Sequence, residues 1–253
     1  MPTELRSRIH TPYTPDLDLP TAFRVVSLRE AGDAFARACK VARKEGAGTL
    51  VWARRFDIVE FAVVLEPEEP LAAARRSLYM AQCALYDSLA VHAPPEKLIQ
   101  FVWPDAILVE GGLVAGVRLG WPKNAHEKEP TPWLVFGAMV RTAIMGAGEP
   151  GAHSDSAALE DEGFDELGSG RLIETFTRHL MVWVDTLQQD GFRPVAEHYL
   201  KRLSSEAATE RSIDGTGDLL ERPKGKIDTR KQKLIPALDK LDWYDPETRG
   251  LKL

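Results

Sequence analysis

The chain has 253 residues, 44% hydrophobic and 28% charged, with a formal net charge of −6. This length suits one large domain with a small addition, in a globular rather than a disordered or fibrous protein. The negative balance gives no basis for non-specific nucleic-acid binding, and no uninterrupted apolar run is long enough to span a bilayer, so neither nucleic acid nor membrane is an expected partner.

The first residues lack a basic-then-apolar signal, and two cysteines without metal-ligand spacing, Cys39 and Cys83, suit a reducing compartment, so a cytoplasmic location and no metal site are expected. Met1 to Pro20 is proline-punctuated and reads as an extended arm. Phe23 to Val26 reads as a short strand. A helix is predicted from Ser27, with Glu30 as capping-box partner and Gly46 as its stop. Phe35, Cys39 and Ala42 recur along it at helical spacing, which marks a packed face rather than thiol chemistry. Thr49–Ala53 and Ile58–Leu65 read as adjacent strands joined by Arg54-Arg55-Phe56-Asp57. Leu71 to Val91 then reads as one long helix that ends before Pro94-Pro95, with Cys83 as a small buried hydrophobe on it.

Lys97 to Trp121 carries the densest set of signals. Ile107–Val109 and Leu113–Leu119 are apolar runs about Gly111-Gly112, a hairpin signal because a type I′ turn needs φ > 0 at both central residues. Trp103-Pro104 fixes the backbone before the first run, since proline locks its own φ and biases the residue before it towards extended geometry. Asp105 sets a carboxylate at the start of that run. Gly116 lies inside the second, where glycine marks a bulge or the close approach of a ligand or another backbone.

Beyond it, Pro122–Pro132 reads as a loop, Trp133–Ile144 as a strand, and Met145–Gly170 as a long irregular connection. Arg171–Gln189 reads as a helix, with Leu172, Phe176, Leu180, Trp183 and Leu187 on one face. Asp190-Gly191 ends it, and a further helix follows Pro194. His153, His179 and His198 have no ligand spacing and read as solvated or structural. From Arg211 a turn leads into a short strand at Leu219-Leu220, followed by a short helix-like segment and a tail.

The run from Trp103 to Val117, W-P-D-A-I-L-V-E-G-G-L-V-A-G-V, resembles the signature K-W-P-N-D-x-x-x-x-x-x-K-(L/V)-A-G-I-L of biotin protein ligases, in the biotin/lipoate ligase superfamily. Trp103, Pro104, Ala115 and Gly116 match it, and Val114 and Val117 are conservative matches. Val102 stands at the first lysine, Asp105 at the asparagine and Ala106 at the aspartate. Leu113 stands at the catalytic lysine. Arg54-Arg55 occupies the place of the family's G-R-G-R-x-G-R loop, which folds over biotin and its adenylate. Residues 172–202 resemble the paired helices that close the catalytic domain, and 212–220 resemble the start of its small C-terminal barrel.

The resemblance, from about Leu28 to Leu220, implies an α+β fold. This is a mixed, largely antiparallel sheet with packed helices over residues 1–205, and a small C-terminal subdomain over 206–253. It also implies binding positions at Arg54, Arg55, Trp103, Pro104, Asp105, Leu113, Ala115 and Gly116, and assigns no catalytic residue. The ligands it implies are ATP and a small carboxylic acid, biotin or lipoate, with a carrier-protein domain supplying the acceptor lysine. Bringing a carboxylate to a phosphate needs positive charge between two anions. On a regular strand Leu113, Ala115 and Val117 share one face and Arg118 lies on the other, so Arg118 cannot replace the lysine unless a bulge at Gly116 changes the parity. That leaves Arg54, Arg55 (at most one of which faces a site) or a lysine from another segment. Two readings follow: a ligase with a rearranged cation, or a catalytically impaired homologue that binds the acid or the carrier.

Overall fold

The computed structural model describes residues 17–144, 155–164, 167–204, 209–225 and 228–253. The elements in chain order are β1 (Arg24–Leu28), α1 (Ala34–Glu45), β2 (Thr49–Arg54), β3 (Ile58–Leu65), α2 (Leu71–Ala74), α3 (Ser77–Ala90), β4 (Ile99–Val102), β5 (Ala106–Val109), β6 (Gly112–Gly120) and β7 (Leu134–Arg141). These are followed by α4 (Ser169–Asp190), α5 (Phe192–Arg202), β8 (Thr209–Ile213), β9 (Leu219–Pro223), β10 (Arg230–Gln232), α6 (Leu234–Leu238), β11 (Tyr244–Asp245) and β12 (Gly250–Leu251). Seven strands form the main sheet in the order β1-β2-β3-β7-β6-β5-β4. Only β1–β2 is parallel.

Strand alternation divides this sheet between two layers. Leu50, Trp52, Val59, Phe61, Phe136, Ala138, Ala115 and Val117 face α3, α4 and α5 and form the main core. Val51, Ala53, Ala62, Val64 and Val135 face Ala34, Ala38 and Ala42 of α1. The helices follow from apolar residues at three- and four-residue steps, and their rings fill the first layer. Phe176 of α4 lies 4.7 Å from Phe61 and 5.9 Å from Phe136, and Tyr199 of α5 stacks on Phe101 at 4.4 Å.

The predicted start of α1 is corrected. Residues 24–28 pair in register with 49–53, which draws Ser27 into the sheet, and the helix begins six residues beyond Leu28 at Ala34. There Asp33 Oδ1 accepts from Ala36 N at 2.7 Å, and Glu60 Oε1, arriving from β3, accepts from Ala34 N at 2.7 Å. Two of the amides that a helix start leaves unpaired are thereby satisfied. The long helix expected over 71–91 is broken at Arg75-Arg76 into α2 and α3. Arg75 is buried there, over the Trp121 ring at 4.6 Å and paired with Glu127. The turn of the β5–β6 hairpin is Glu110-Gly111, with φ of 50° and 88°, and Gly112 already pairs with Val109. His153 and most of the arm expected over 1–20 lie outside the described residues.

Trp103-Pro104, joined by a cis peptide bond, ties the sheet edge to the helical layer. Trp103 Nε1 donates to Tyr79 Oη at 2.9 Å, and that hydroxyl donates to Gly217 O in the β8–β9 turn at 2.5 Å. Gln82 Nε2 donates to Pro104 O at 2.9 Å. Strands β8–β10 make a separate three-stranded sheet, a small C-terminal subdomain. The chain then returns through α6 to the main sheet. Replacing Trp103 by Phe keeps an aromatic side chain, though a smaller one, and removes the hydrogen bond to Tyr79. It should cost about 1 kcal/mol, a fall of roughly 2–4 °C in Tm, readable by calorimetry. An unchanged Tm would show that this link carries no stability.

Candidate functional site

The face of the sheet opposite α3–α5 is covered by α1 over one half and by the β11–β12 segment over the other. Between them, one row of cross-strand partners runs Ala53, Glu60, Met139, Gly116, Ala106. The next row runs Val51, Ala62, Gly137, Arg118. These rows are the floor of the site.

The β5–β6 register sets which side chains reach that floor. Ile107 pairs with Ala115 and Leu108 with Leu113, so Val114 is an extra residue on β6. A bulge of this kind reverses the alternation. Val114, Ala115 and Val117 all pack in the main core, whereas Leu113 joins the opposite cluster with Met139, Ile58 and Trp243. Leu113, Gly116 and Arg118 therefore share a face. The expectation that Arg118 points away from Leu113 is overturned, by a bulge at Val114 rather than at Gly116.

Gly116 lies under Trp243. A Cβ built on Gly116 would fall 2.0 Å from the indole ring, so no side chain fits while Trp243 is in place. The indole Nε1 donates to Asp105 Oδ2 at 3.1 Å. Asp105 is 5% exposed, and burial pushes its carboxyl up to about 7, with Asp242 nearby reinforcing the shift and the indole N–H opposing it. Glu60 is also buried and raised by burial, with Arg55 Nη1 3.8 Å away. Arg118 is held by π faces: its guanidinium carbon is 4.0 Å from the Tyr244 ring centroid, 5.4 Å from that of Trp243 and 5.8 Å from that of Phe35. Its buried Nε and Nη2 have no hydrogen-bond partner among the described residues. Aromatic faces stabilise a desolvated cation by about 2 kcal/mol, but they leave the directional N–H donors unused.

Beside this cluster opens a cavity of about 770 Å³, with Arg55, Glu60, Met139, Tyr244, Thr248 and Arg249 in its lining. Arg55 donates through Nη1 to Arg249 O at 2.6 Å and lies 3.4 Å from Asp57. Glu30, Asp33 and Asp57 also line the cavity, so carboxylates outnumber cations there.

The sequence-derived positions thus separate. Arg55, Asp105, Leu113 and Gly116 lie on the site face. Ala115 faces the main core, and Arg54 pairs across from Val59, which faces the same core. Trp103 and Pro104 bond instead to Tyr79 and Gln82 of α3. Sequence reasoning missed Glu60, Trp243 and Tyr244. The adjacent aromatics Trp243-Tyr244 before Asp245-Pro246 signal a folded hairpin where the sequence reading has a tail. Among the described residues no group of His, Cys, Asp and Glu is placed to hold a metal, and no helix is long and apolar enough to cross a membrane.

Residues 19–201 match the model of the biotin/lipoate A/B protein ligase family, and the chain belongs to that family. It is 25% identical over 140 residues to a biotin–[acetyl-CoA-carboxylase] ligase of Paracoccus denitrificans, a match covering 55% of this chain and 58% of that relative. A biotin protein ligase-like protein of unknown function from Silicibacter superposes with a TM-score of 0.75 at 22% identity, covering 88% of this chain and 99% of that one. The apo biotin protein ligase of Aquifex aeolicus superposes with a TM-score of 0.65 at 12% identity, covering 83% and 96%. At these identities the structures establish the fold, a mixed, mostly antiparallel sheet with packed helices.

Asp105 gives a direct test of the site's electrostatics. Its carboxyl sits near 7 in the folded chain and near 3.8 when unfolded, so between these values the folded state holds the extra proton. Stability must then fall as pH rises from about 4 to about 7 and level off above. Asp105→Asn does not titrate and keeps an oxygen for the indole N–H. Its stability relative to wild type should improve by on the order of 2 kcal/mol between pH 5 and pH 8, measured by urea denaturation. A difference that does not change with pH would contradict the assignment.

Proposed function

We propose that this protein binds a small carboxylic acid of the biotin or lipoate class on the Gly116 face. It activates the acid with ATP and transfers the acyl group to a lysine of a carrier domain, with Arg118 as the cation in place of the family's lysine. The observation that carries the reading is Arg118 itself, whose buried Nε and Nη2 have no partner among the described residues and which lies on the same face as Leu113 and Gly116. Those donors fit a carboxylate, which accepts charge-assisted hydrogen bonds about twice as strong as neutral ones. In the activation step a carboxylate oxygen attacks the α-phosphorus of ATP and pyrophosphate leaves. The acceptor amine then attacks the acyl carbon, AMP leaves, and a proton passes to solvent. Arg118 offsets the repulsion between carboxylate and phosphate as they approach.

A second reading, a catalytically impaired homologue that binds the acid or the carrier, is favoured by a specific observation. The neighbouring cavity carries Glu30, Asp33, Asp57 and Glu60 against Arg55 and Arg249, a charge balance that suits an acid's tail better than a triphosphate.

Pyrophosphate exchange into ATP with biotin, lipoate or octanoate separates the two. The ligase reading expects exchange in wild type, a fall of roughly 100- to 1,000-fold in Arg118→Ala, and a gain in Leu113→Lys. Acid binding by calorimetry with no exchange in wild type or Leu113→Lys would establish the impaired homologue. Exchange insensitive to Arg118→Ala would remove Arg118 from the chemistry.

A further inference from the structure

The β11–β12 segment occupies the ground that the proposed acid needs. Trp243 fills the space left by the missing side chain of Gly116, and Tyr244 covers Arg118. Trp243 Nε1 ties the segment to Asp105 Oδ2 at 3.1 Å, and two arginines hold its backbone. Arg141 Nη2 donates to Leu251 O at 2.8 Å and Lys252 O at 2.7 Å, and Arg55 donates to Arg249 O. Lys252 N donates to Trp243 O at 2.9 Å and closes the hairpin. Its strands are two residues each, too short to be stable alone, and its apolar residues belong to a small cluster separate from the main core. Residues 246–249 are exposed, and Tyr244, Thr248 and Arg249 form one wall of the 770 Å³ cavity.

The contacts are unequal to those a ligand would make. Arg118 gives the hairpin only ring-face attraction, while a carboxylate would also engage its unpaired N–H groups. Both arginine anchors end on neutral carbonyls, weaker acceptors than a carboxylate. We propose that residues 241–252 are a displaceable plug. Trp243 and Tyr244 close the acid site in the free protein, and an entering acid, admitted through the adjoining cavity, competes with them for Gly116 and Arg118. This rests on the acid-binding reading above.

A plug lowers apparent affinity by the fraction of molecules that are open, so removing its anchor tightens binding by the inverse of that fraction. The test uses the full chain and binding of biotin, lipoate and octanoate by calorimetry. It compares wild type with Trp243→Ala and Trp243→Phe, together with hydrogen exchange of residues 241–252 in wild type with and without saturating acid. The inference expects Trp243→Ala to bind acid about tenfold tighter or more, Trp243→Phe to fall between, and acid to speed exchange of the Lys252 amide. Equal or weaker binding by Trp243→Ala, with unchanged protection of 241–252, would overturn the plug and leave the acid site standing. Should Trp243→Ala fail to fold, the wild-type exchange decides. No binding of any of the three acids to any form would overturn both readings.

Discussion

Val114 is the residue on which this site depends. It enters β6 without a partner on β5, and from that point the strand presents its odd and even positions to the opposite layers. The helical core gains two adjacent apolar residues, Val114 and Ala115, and the other face gains Leu113, Gly116 and Arg118 in succession. Without the extra residue Leu113 would lie in the main core. A local irregularity of one residue thus brings the lysine position of the family motif and a nearby arginine to one surface.

The electrostatics of that surface follow from burial. Glu60 and Asp105 stand at opposite sides of the floor, each with its carboxyl raised by loss of water, each given a backbone or indole N–H in partial compensation. Arg118 between them is stabilised by rings, and Arg55 at the margin by Asp57 and a carbonyl. Arg118 is engaged by something weaker than an ion pair, while Arg55 is paired with Asp57 at 3.4 Å and lies 3.8 Å from Glu60. Such an arrangement costs stability in the free protein and leaves directed donors for a ligand.

Much of the fold was legible in the sequence because strand alternation, helical spacing and glycine or proline stops are local signals. The hairpins β2–β3 and β5–β6, the helices after Arg171 and the family motif all rest on such signals. The helix start at Asp33 was not legible, since it depends on Ser27 pairing in a parallel strand and on Glu60 arriving from β3. Half of the site was equally hidden. Arg118 is excluded by a parity argument that is sound for a regular strand and fails at Val114. Trp243 lies far from Gly116 in sequence, and no local pattern says that its ring fills a glycine's missing side chain. Trp103 and Pro104 illustrate the converse: a motif marks them, while their contacts are to Tyr79 and Gln82 in the helical layer.

The central claim is that Arg118, brought to the Leu113 face by the bulge, receives an acid's carboxylate. The most direct measurement is a crystal structure of the full chain soaked or co-crystallised with whichever of biotin, lipoate or octanoate binds most tightly. The account predicts the carboxylate within hydrogen-bond distance of Arg118 Nε or Nη2, and the Trp243 ring gone from above Gly116. A carboxylate bound elsewhere, with Arg118 still beneath Tyr244 and Trp243 still on Gly116, would contradict it.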